Sequence, residues 1–502
     1  MERNDGTILP PASSGFTRDA RRAKRAIARS APQMLSIAVL SGFMKLADIL
    51  LLLLSSAAAA MLVIANGPNL ERSFSEILLA YLVGSMTAAV LLHRASAYSF
   101  PGFRIIRPQA IILSSALGVG GVVAGGSLAM LGGQTLSVIG SQVLAWLIAS
   151  FVVLFSFRLI LLQLIHRWTA TGLLTMRVAI IGVNELSRSF IERSVADPNK
   201  GTRIVGIYDD HASDLPAMHA GIRVYGSVAS LIERSRREAI DAIVIALPLS
   251  AGDRINAIRN AVSDVVSDVY LTAEVVGLHY SDSRFEQLSA NPVIVVAERP
   301  LKDWRLVQKR VFDVLLSSIL VVVLAPLMAC IGLLIRLDSP GPVLFRQPRL
   351  GFNNVLFDTF KFRTMYHHLE DRLADCQTTR NDPRITRIGK FLRRTSLDEL
   401  PQLLNVLRGN MSLVGPRPHA PNTKAGDKLF TEVATYAARH RVLPGITGWA
   451  QINGSRGETK TLEQLTQRIA HDIHYIENWS LLLDLRIMFM TVVREINSRG
   501  AF

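Results

Sequence analysis

Four long runs of apolar residues occupy the first third of the chain, at roughly 46–65, 75–92, 109–131 and 137–157. As helices, each is about long enough to cross a hydrocarbon core of roughly 30 Å, so four transmembrane helices are predicted within 34–168. The first run starts too far into the chain for a cleaved signal peptide and lacks a convincing cleavage site. A run of small residues, Gly118-Val119-Gly120-Gly121 through Gly125-Gly126, lies inside the third span. It could read as a phosphate loop, but within an apolar helix close helix packing is the better reading.

Beyond the spans the pattern changes period. Over 176–295 short apolar runs alternate with helix-like runs. Val178-Ala179-Ile180-Ile181-Gly182, Arg203-Ile204-Val205-Gly206-Ile207-Tyr208 and Ala242-Ile243-Val244-Ile245-Ala246 read as buried parallel strands. With helices such as Val228 to Arg237 between them, they predict a small doubly wound, Rossmann-like α/β domain. The first strand ends in Gly182-Val183-Asn184-Glu185, which is not the glycine-rich dinucleotide fingerprint. Asp209 and Asp210 follow the second strand, where nucleotide folds read a ribose, though acids in turns are common.

A fifth apolar run, Val311 to Ile335, stands alone. Lys302, Arg305, Lys309 and Arg310 precede it, and Arg336, Arg346, Arg349, Lys361 and Arg363 follow it. Basic flanks on both sides prefer the same face of a membrane. Pro326, near the middle, bends a helix at a cost of about 3 kcal/mol. Hydropathy alone reads this run as a span. The flanks and the proline favour a kinked re-entrant helix over 309–336 that enters and leaves one leaflet. The last apolar stretch, Trp479 to Val493, is too short to cross and carries Asp484 and Arg486, so it reads as an interfacial helix.

Charge placement orients the chain. Arg18, Arg21, Arg22, Lys24, Arg25 and Arg29 mark 1–33 as a basic cytoplasmic tail, and the linker with His93, Arg94, Arg104 and Arg107 is also inside. Four crossings return the chain to the cytoplasm near Arg167, leaving 176–295 and 300–502 cytoplasmic. Over 502 residues, 49% are hydrophobic and only 19% charged, with a net charge of +15. Such a balance is unusual for a soluble protein. Positive loops and anionic lipid account for the charge, and no nucleic-acid-binding signature is present. Cys330 and Cys376 are the only cysteines, which excludes a disulfide framework.

Candidate chemistry lies after the fifth apolar run. Arg393-Arg394-Thr395-Ser396-Leu397-Asp398-Glu399-Leu400-Pro401-Gln402 continues to Gly415-Pro416-Arg417-Pro418. Leu400, Leu403, Leu404 and Leu407 recur at helical spacing, and Pro401 is tolerated only in a first turn, so a helix is predicted to begin close to Asp398. Ionised acids at its positive end, beside Arg393 and Arg417, suit phosphoryl transfer: a nucleophile or metal ligand with cations for phosphate oxygens. A capping box of Ser396 with Glu399 is the plainer alternative. Lys361 and Arg363, if extended, share one face suited to a diphosphate or lipid phosphate, and a solvated edge strand accounts for them equally well. Pro444-Gly445-Ile446-Thr447-Gly448-Trp449-Ala450-Gln451-Ile452-Asn453-Gly454 supplies turns, an aromatic face and amides such as Gln451 that could hold a base or sugar; a turn over a core tryptophan is the alternative. Arg456 is a further candidate phosphate contact. His471, Asp472 and His474 imitate metal ligands but fit an ordinary amphipathic helix better.

Taken together, four blocks resemble the bacterial polyprenyl-phosphate hexose-1-phosphate transferases and stand in that family's order: Gly341-Pro342 to Arg349, Lys361 to Met365, Thr395 to Pro418, and Pro444 to Asn453. The resemblance covers nearly the whole chain. It implies that Asp398 and Glu399 form the catalytic dyad, with Asp398 the nucleophile and Glu399 holding Mg²⁺. It further implies phosphate contacts from Lys361, Arg363, Arg393 and Arg417, and a helix break at Ala325-Pro326. Asn353-Asn354 replace an expected basic turn near the membrane face. The implied reaction transfers hexose-1-phosphate from UDP-hexose to undecaprenyl phosphate through an aspartyl-phosphosugar intermediate, releasing UMP. It is the first membrane step of exopolysaccharide or O-antigen synthesis at the bacterial inner membrane. Gly457-Glu458-Thr459 and Tyr475 to Leu485 look more like glucose-transferring than galactose-transferring members. A membrane-anchored nucleotide-sugar dehydratase is the rival enzyme, but it lacks support from a Tyr-x-x-x-Lys pair. A non-catalytic assembly scaffold is the rival without turnover. Glycine-rich spans permit a homodimer.

Overall fold

The computed structural model describes residues 36–66, 73–95, 97–98, 106–132, 134–171, 174–196, 201–210, 216–263, 265–272, 285–288, 291–369, 382–433, 435–455, 459 and 461–497. The basic tail, Arg104, Cys376 and Arg456 therefore lie outside the described residues. The chain divides into two compact units, Gln33–Thr175 and a second containing Met176–Phe502.

In the first unit the four apolar runs form helices Ile37–Asn66, Phe74–Arg94, Ile106–Met130 and Leu136–Ala170. All four are long and apolar enough to cross a membrane. The second begins with a capping box in which the Ser73 hydroxyl and the Glu76 carboxylate each accept the other's backbone N–H. The glycine run packs helices, as the pattern predicts. A Cβ on Gly84 would lie 2.5 Å from the carbonyl oxygen of Gly120, so only glycine lets these two helices approach so closely. Ser56 and Ser85 hydroxyls meet at 2.7 Å between the first and second helices. Arg158 pairs with buried Asp48 at 2.7 Å, and the Tyr98 hydroxyl donates to the same Asp48 oxygen at 3.0 Å. A buried charge demands such partners.

The second unit opens with the α/β domain. Its six-stranded sheet runs in the order Thr202–Tyr208, Met176–Ile181, Ala242–Ile245, Asp268–Thr272, Asn291–Ala297, Phe285–Leu288. The first four strands are parallel and the last two antiparallel. Val228, Leu231, Ile258 and Val262 from two helices cover one face. Phe190 and Ile191 from Glu185–Ala196 cover the other. Helices on both faces explain why these strands read as unbroken apolar runs.

The rest of this unit begins with one helix, Asp303–Asp338, longer than the expected 309–336 and carrying Pro326 inside an unbroken helical run. Proline removes one backbone hydrogen bond, which a helix absorbs as a bend rather than an interruption. Both ends of this helix are fastened to the same folded module. Near its start Arg310 donates to the carbonyls of Val406 and Leu407 at 2.6 and 2.9 Å. There too Lys309 donates to Asp484 at 2.7 Å and to the Val414 carbonyl at 3.0 Å. At its end Arg363 donates to the carbonyls of Ile335, Ser339 and Pro340. Between these ties Leu315, Ile319, Val322, Val323 and Leu333 are exposed. The terminal helix Leu481–Asn497 exposes Leu482, Leu485, Phe489 and Val492 along one side, as an interfacial helix requires.

Two strands, Leu344–Leu350 and Leu356–Phe362, form an antiparallel hairpin after the long helix. Its turn corrects one expectation. Asn353 and Asn354 adopt left-handed backbone (φ 54° and 58°), which asparagine tolerates better than a basic residue. The Asn353 amide donates to the Ser235 carbonyl of the α/β domain at 2.7 Å, so this turn meets that domain.

Candidate active site

The dyad sits on a bend, not at a helix start. Ser396 adopts a left-handed conformation (φ 55°) and turns the chain out of the helix Arg387–Arg394 into a single 3₁₀ turn, Leu397–Glu399. The α-helix begins only at Gln402, after Pro401. Asp398 and Glu399 therefore precede the helix by most of a turn, and neighbouring cations govern their charge. The alternative capping box does not form: Ser396 makes no side-chain cap, and the Glu399 carboxylate is drawn to two cations instead.

Arg417 reaches Glu399 with both terminal nitrogens, Nη2 to Oε1 at 2.5 Å and Nη1 to Oε2 at 3.1 Å. Lys361 Nζ donates to Oε1 at 2.7 Å and lies 4.0 Å from Asp398. Burial alone would raise Glu399, but Arg417 and Lys361 outweigh it and hold this carboxyl well below the ordinary range. Asp398 goes the other way. Burial pushes it up, Lys361 offsets that only in part, and the charge on Glu399 adds to the rise. Asp398 accepts no hydrogen bond among the described residues, whereas Glu399 accepts three. One carboxylate is thus a fixed charge, while its neighbour, 4.0 Å from Lys361, accepts no hydrogen bond among the described residues.

Hairpin register explains where the cations come from. Lys361 pairs with Phe345 and Arg349 with Phe357, so the two-residue period puts Lys361 and Arg349 on the same face. Arg349 is half-buried and donates to the Pro418 carbonyl at 2.5 Å. Burial and the charge of Arg417 bring Arg349 down to about 10, while both dyad carboxylates act against that. Arg393 is oriented by a hydrogen bond from Nε to the Thr364 hydroxyl at 2.8 Å, with the Asp398 charge acting on it. Lys361, Arg349, Arg393 and Arg417 outnumber the two carboxylates, leaving positive potential for phosphate.

Arg363 does not join them. The strand ends at Phe362, and the Arg363 guanidinium is buried among the carbonyls at the end of the long helix, with the Ser339 hydroxyl at 3.0 Å. Helix C-termini present unpaired carbonyls and partial negative charge, which attracted this side chain away from the dyad. Gln451 lies on the short helix Trp449–Ile452, and its Oε1 is buried without a hydrogen-bond partner among the described residues. Trp449 beside it packs near the His474 ring, with centroids 5.6 Å apart. Asp472 is engaged in an ion pair. It accepts two hydrogen bonds from Arg439, at 2.6 and 3.0 Å, with both groups buried. Arg349, His419, Arg439 and the role of Asp472 escaped the sequence reading, since their partners are distant along the chain.

Mg²⁺ takes one or two carboxylates and completes its shell with water and substrate phosphate. Asp398 and Glu399 fit that donor set: Asp398 accepts nothing and Glu399 Oε2 accepts only one donor among the described residues.

In the α/β domain the side chains at the strand ends make local contacts. Asn184 donates to the Ala246 carbonyl at 2.6 Å and accepts the Ser187 N–H at 3.0 Å, capping the helix there. Asp209 accepts the Val183 N–H at 2.9 Å and pairs with Arg254, and Asp210 caps Val228.

Comparison with known proteins bears on the family of the chain. The bacterial sugar transferase family matches residues 304–498, and a CoA-binding domain family matches 109–273. An undecaprenyl-phosphate glucose phosphotransferase of Komagataeibacter xylinus is 44% identical over 359 residues, covering 71% of this chain and 66% of the relative. A UDP-glucose:undecaprenyl-phosphate glucose-1-phosphate transferase of Xanthomonas campestris pv. campestris is 34% identical over 83% of this chain and 87% of its own length. The exopolysaccharide production protein PSS of Rhizobium leguminosarum bv. phaseoli is 51% identical over 39% of this chain and 99% of its own length. With its dyad, its cation cluster and relatives matched over most of their length, this chain belongs to the bacterial sugar transferase family.

Proposed function

We propose that this protein transfers glucose-1-phosphate from UDP-glucose to undecaprenyl phosphate, releasing UMP, as the first membrane step of exopolysaccharide synthesis. The observation that carries this reading is the pairing of a buried, unencumbered Asp398 with a Glu399 fixed by Arg417 and Lys361.

In the first step an oxygen of the ionised Asp398 carboxylate attacks the β-phosphorus of UDP-glucose. The bond from that phosphorus to the bridging oxygen breaks, and UMP leaves with the electron pair. Glucose-1-phosphate remains on Asp398 as an acyl phosphate. In the second step an oxygen of undecaprenyl phosphate attacks the same phosphorus, the bond from that phosphorus to the Asp398 oxygen breaks, and Asp398 leaves with the electron pair as carboxylate. Arg417, Lys361, Arg349 and Arg393 are placed to neutralise phosphate oxygens. Glu399 and Asp398 would hold Mg²⁺, which when bound offsets charge on the diphosphate. Gln451, half-buried on its short helix, is a candidate contact for the nucleotide or sugar.

One substrate is dissolved in water and the other in lipid. We place the catalytic module on the cytoplasmic face of the inner membrane, with the long helix re-entrant at Pro326 behind four spanning helices. Support comes from the ties that join both helix ends to one module, since two ends separated by a bilayer could not share it. A dehydratase reading lacks comparable support, because the first strand ends in Gly182-Val183-Asn184 rather than the glycine-rich fingerprint and the sequence holds no Tyr-x-x-x-Lys pair.

The test uses purified protein in lipid nanodiscs with Mg²⁺ and UDP-glucose labelled in its β-phosphate, without acceptor. Label retained on the wild type and absent from Asp398→Asn is the expected result. No UMP from UDP-glucose even with undecaprenyl phosphate present would sink this assignment.

A further inference from the structure

Arg417 does its work from a segment that belongs to no regular element. The strand Ser412–Val414 ends just before it, and the next strand starts at Lys424. Yet four successive carbonyls of that segment each accept a donor. Pro416 accepts from Gly445 N at 3.0 Å, Arg417 from Arg439 Nη2 at 2.8 Å, Pro418 from Arg349 Nη1 at 2.5 Å, and His419 from Leu350 N at 3.0 Å. The segment is pinned by its backbone, so the Arg417 side chain is left to face Glu399.

Of these donors, Arg439 is the one that touches Arg417 itself. It comes from a 3₁₀ segment, Tyr436–Arg441, and is almost wholly buried. Asp472, on the helix Leu462–Glu477, accepts Nε and Nη2 on a single oxygen and sets the plane of the guanidinium. The Tyr436 ring lies 5.2 Å from its centre, and His419 Nδ1 accepts from Nη1 at 2.5 Å. A planar fork held on three sides cannot swing, so the Arg417 carbonyl has a fixed address. A buried ion pair is weak evidence for stability as such. Here the pair ends on the backbone of a phosphate-facing arginine.

We propose that Arg439, anchored by Asp472, is a positioning residue that fixes Arg417 against Glu399 and the substrate diphosphate. The proposal rests on the transferase reading above. Displacing a reacting or charge-stabilising group by about 1 Å can cost on the order of 10²-fold in rate, which is the effect this brace prevents.

The experiment measures UMP release by the full chain in nanodiscs, with UDP-glucose and undecaprenyl phosphate, for a double-mutant cycle. Arg439→Lys keeps the charge facing Asp472 but loses the fork. It is expected to lower kcat/KM at least tenfold while the unfolding temperature falls only slightly. In an Arg417→Ala background, followed at high enzyme concentration, the same change should cost less than twofold, because nothing remains to position. Asp472→Asn should repeat that pattern. The proposal is overturned by wild-type kinetics in Arg439→Lys, by a loss that multiplies in full onto Arg417→Ala, or by failure of both single variants to fold. A wild type that releases no UMP is a separate result and removes the transferase reading instead.

Discussion

At the scale of single residues, two adjacent carboxylates have been given opposite properties by their surroundings. Burial and the charge of Glu399 raise Asp398, so the acid limb of kcat/KM should lie above the ordinary aspartate range. Replacing Glu399 with Gln removes a negative neighbour and frees Lys361 and Arg417. The limb should then move to lower pH while the maximal rate falls, and a pH profile of UMP release checks the sign. Arg417→Lys loses the two-pronged contact and is expected to cost about 10²-fold in kcat/KM. Arg363→Ala should instead act on folding, by on the order of 3 kcal/mol, through the helix-end carbonyls it leaves bare. Thermal unfolding and the KM for UDP-glucose separate those two outcomes. Asp398, Glu399 and Arg417 were legible because their grouping is local in the sequence. Arg439 and Asp472 were not, since a contact across 33 residues leaves no local spacing to read. Arg363 misled because its short distance from Lys361 says nothing about where a strand stops.

At the scale of elements, hydropathy located every long apolar helix, since a bilayer imposes one requirement along the whole length of a span. It under-read their ends: the first and fourth helices run to 30 and 35 residues, past the apolar cores. Propensity also placed the dyad on a helix, whereas the left-handed Ser396 inserts a bend first. Such a conformation costs free energy, and its occurrence beside the candidate dyad fits the concentration of strained backbone at functional sites. For the long helix the proposed topology makes a direct prediction. In a Cys330→Ser, Cys376→Ser background, Arg305→Cys and His368→Cys should react with a membrane-impermeant thiol reagent from the same side. Labelling from opposite sides would show that the helix spans.

At the scale of the whole molecule, the helical unit and the rest of the chain are separately compact. The Rhizobium relative is matched over 99% of its length by 39% of this chain, so a chain little longer than the terminal module carries that similarity. A chain beginning at residue 300 should therefore keep UMP release, with stability lowered by loss of the Asn353 contact to Ser235. Kinetics and thermal unfolding of the truncated protein test this. The parallel core of the α/β domain was readable from its apolar runs. Its antiparallel edge, Asn291–Ala297 with Phe285–Leu288, was not, because pairing direction depends on the path of the connection rather than on composition. A long helix held by Arg310 at one end and Arg363 at the other also has a mechanical consequence. In the proposed re-entrant topology it would take up area in one leaflet and none in the leaflet opposite, like a wedge driven into one side of a sheet. Turnover should then respond to lateral pressure, rising in vesicles whose small-headed lipids leave packing gaps and falling where that leaflet is already crowded.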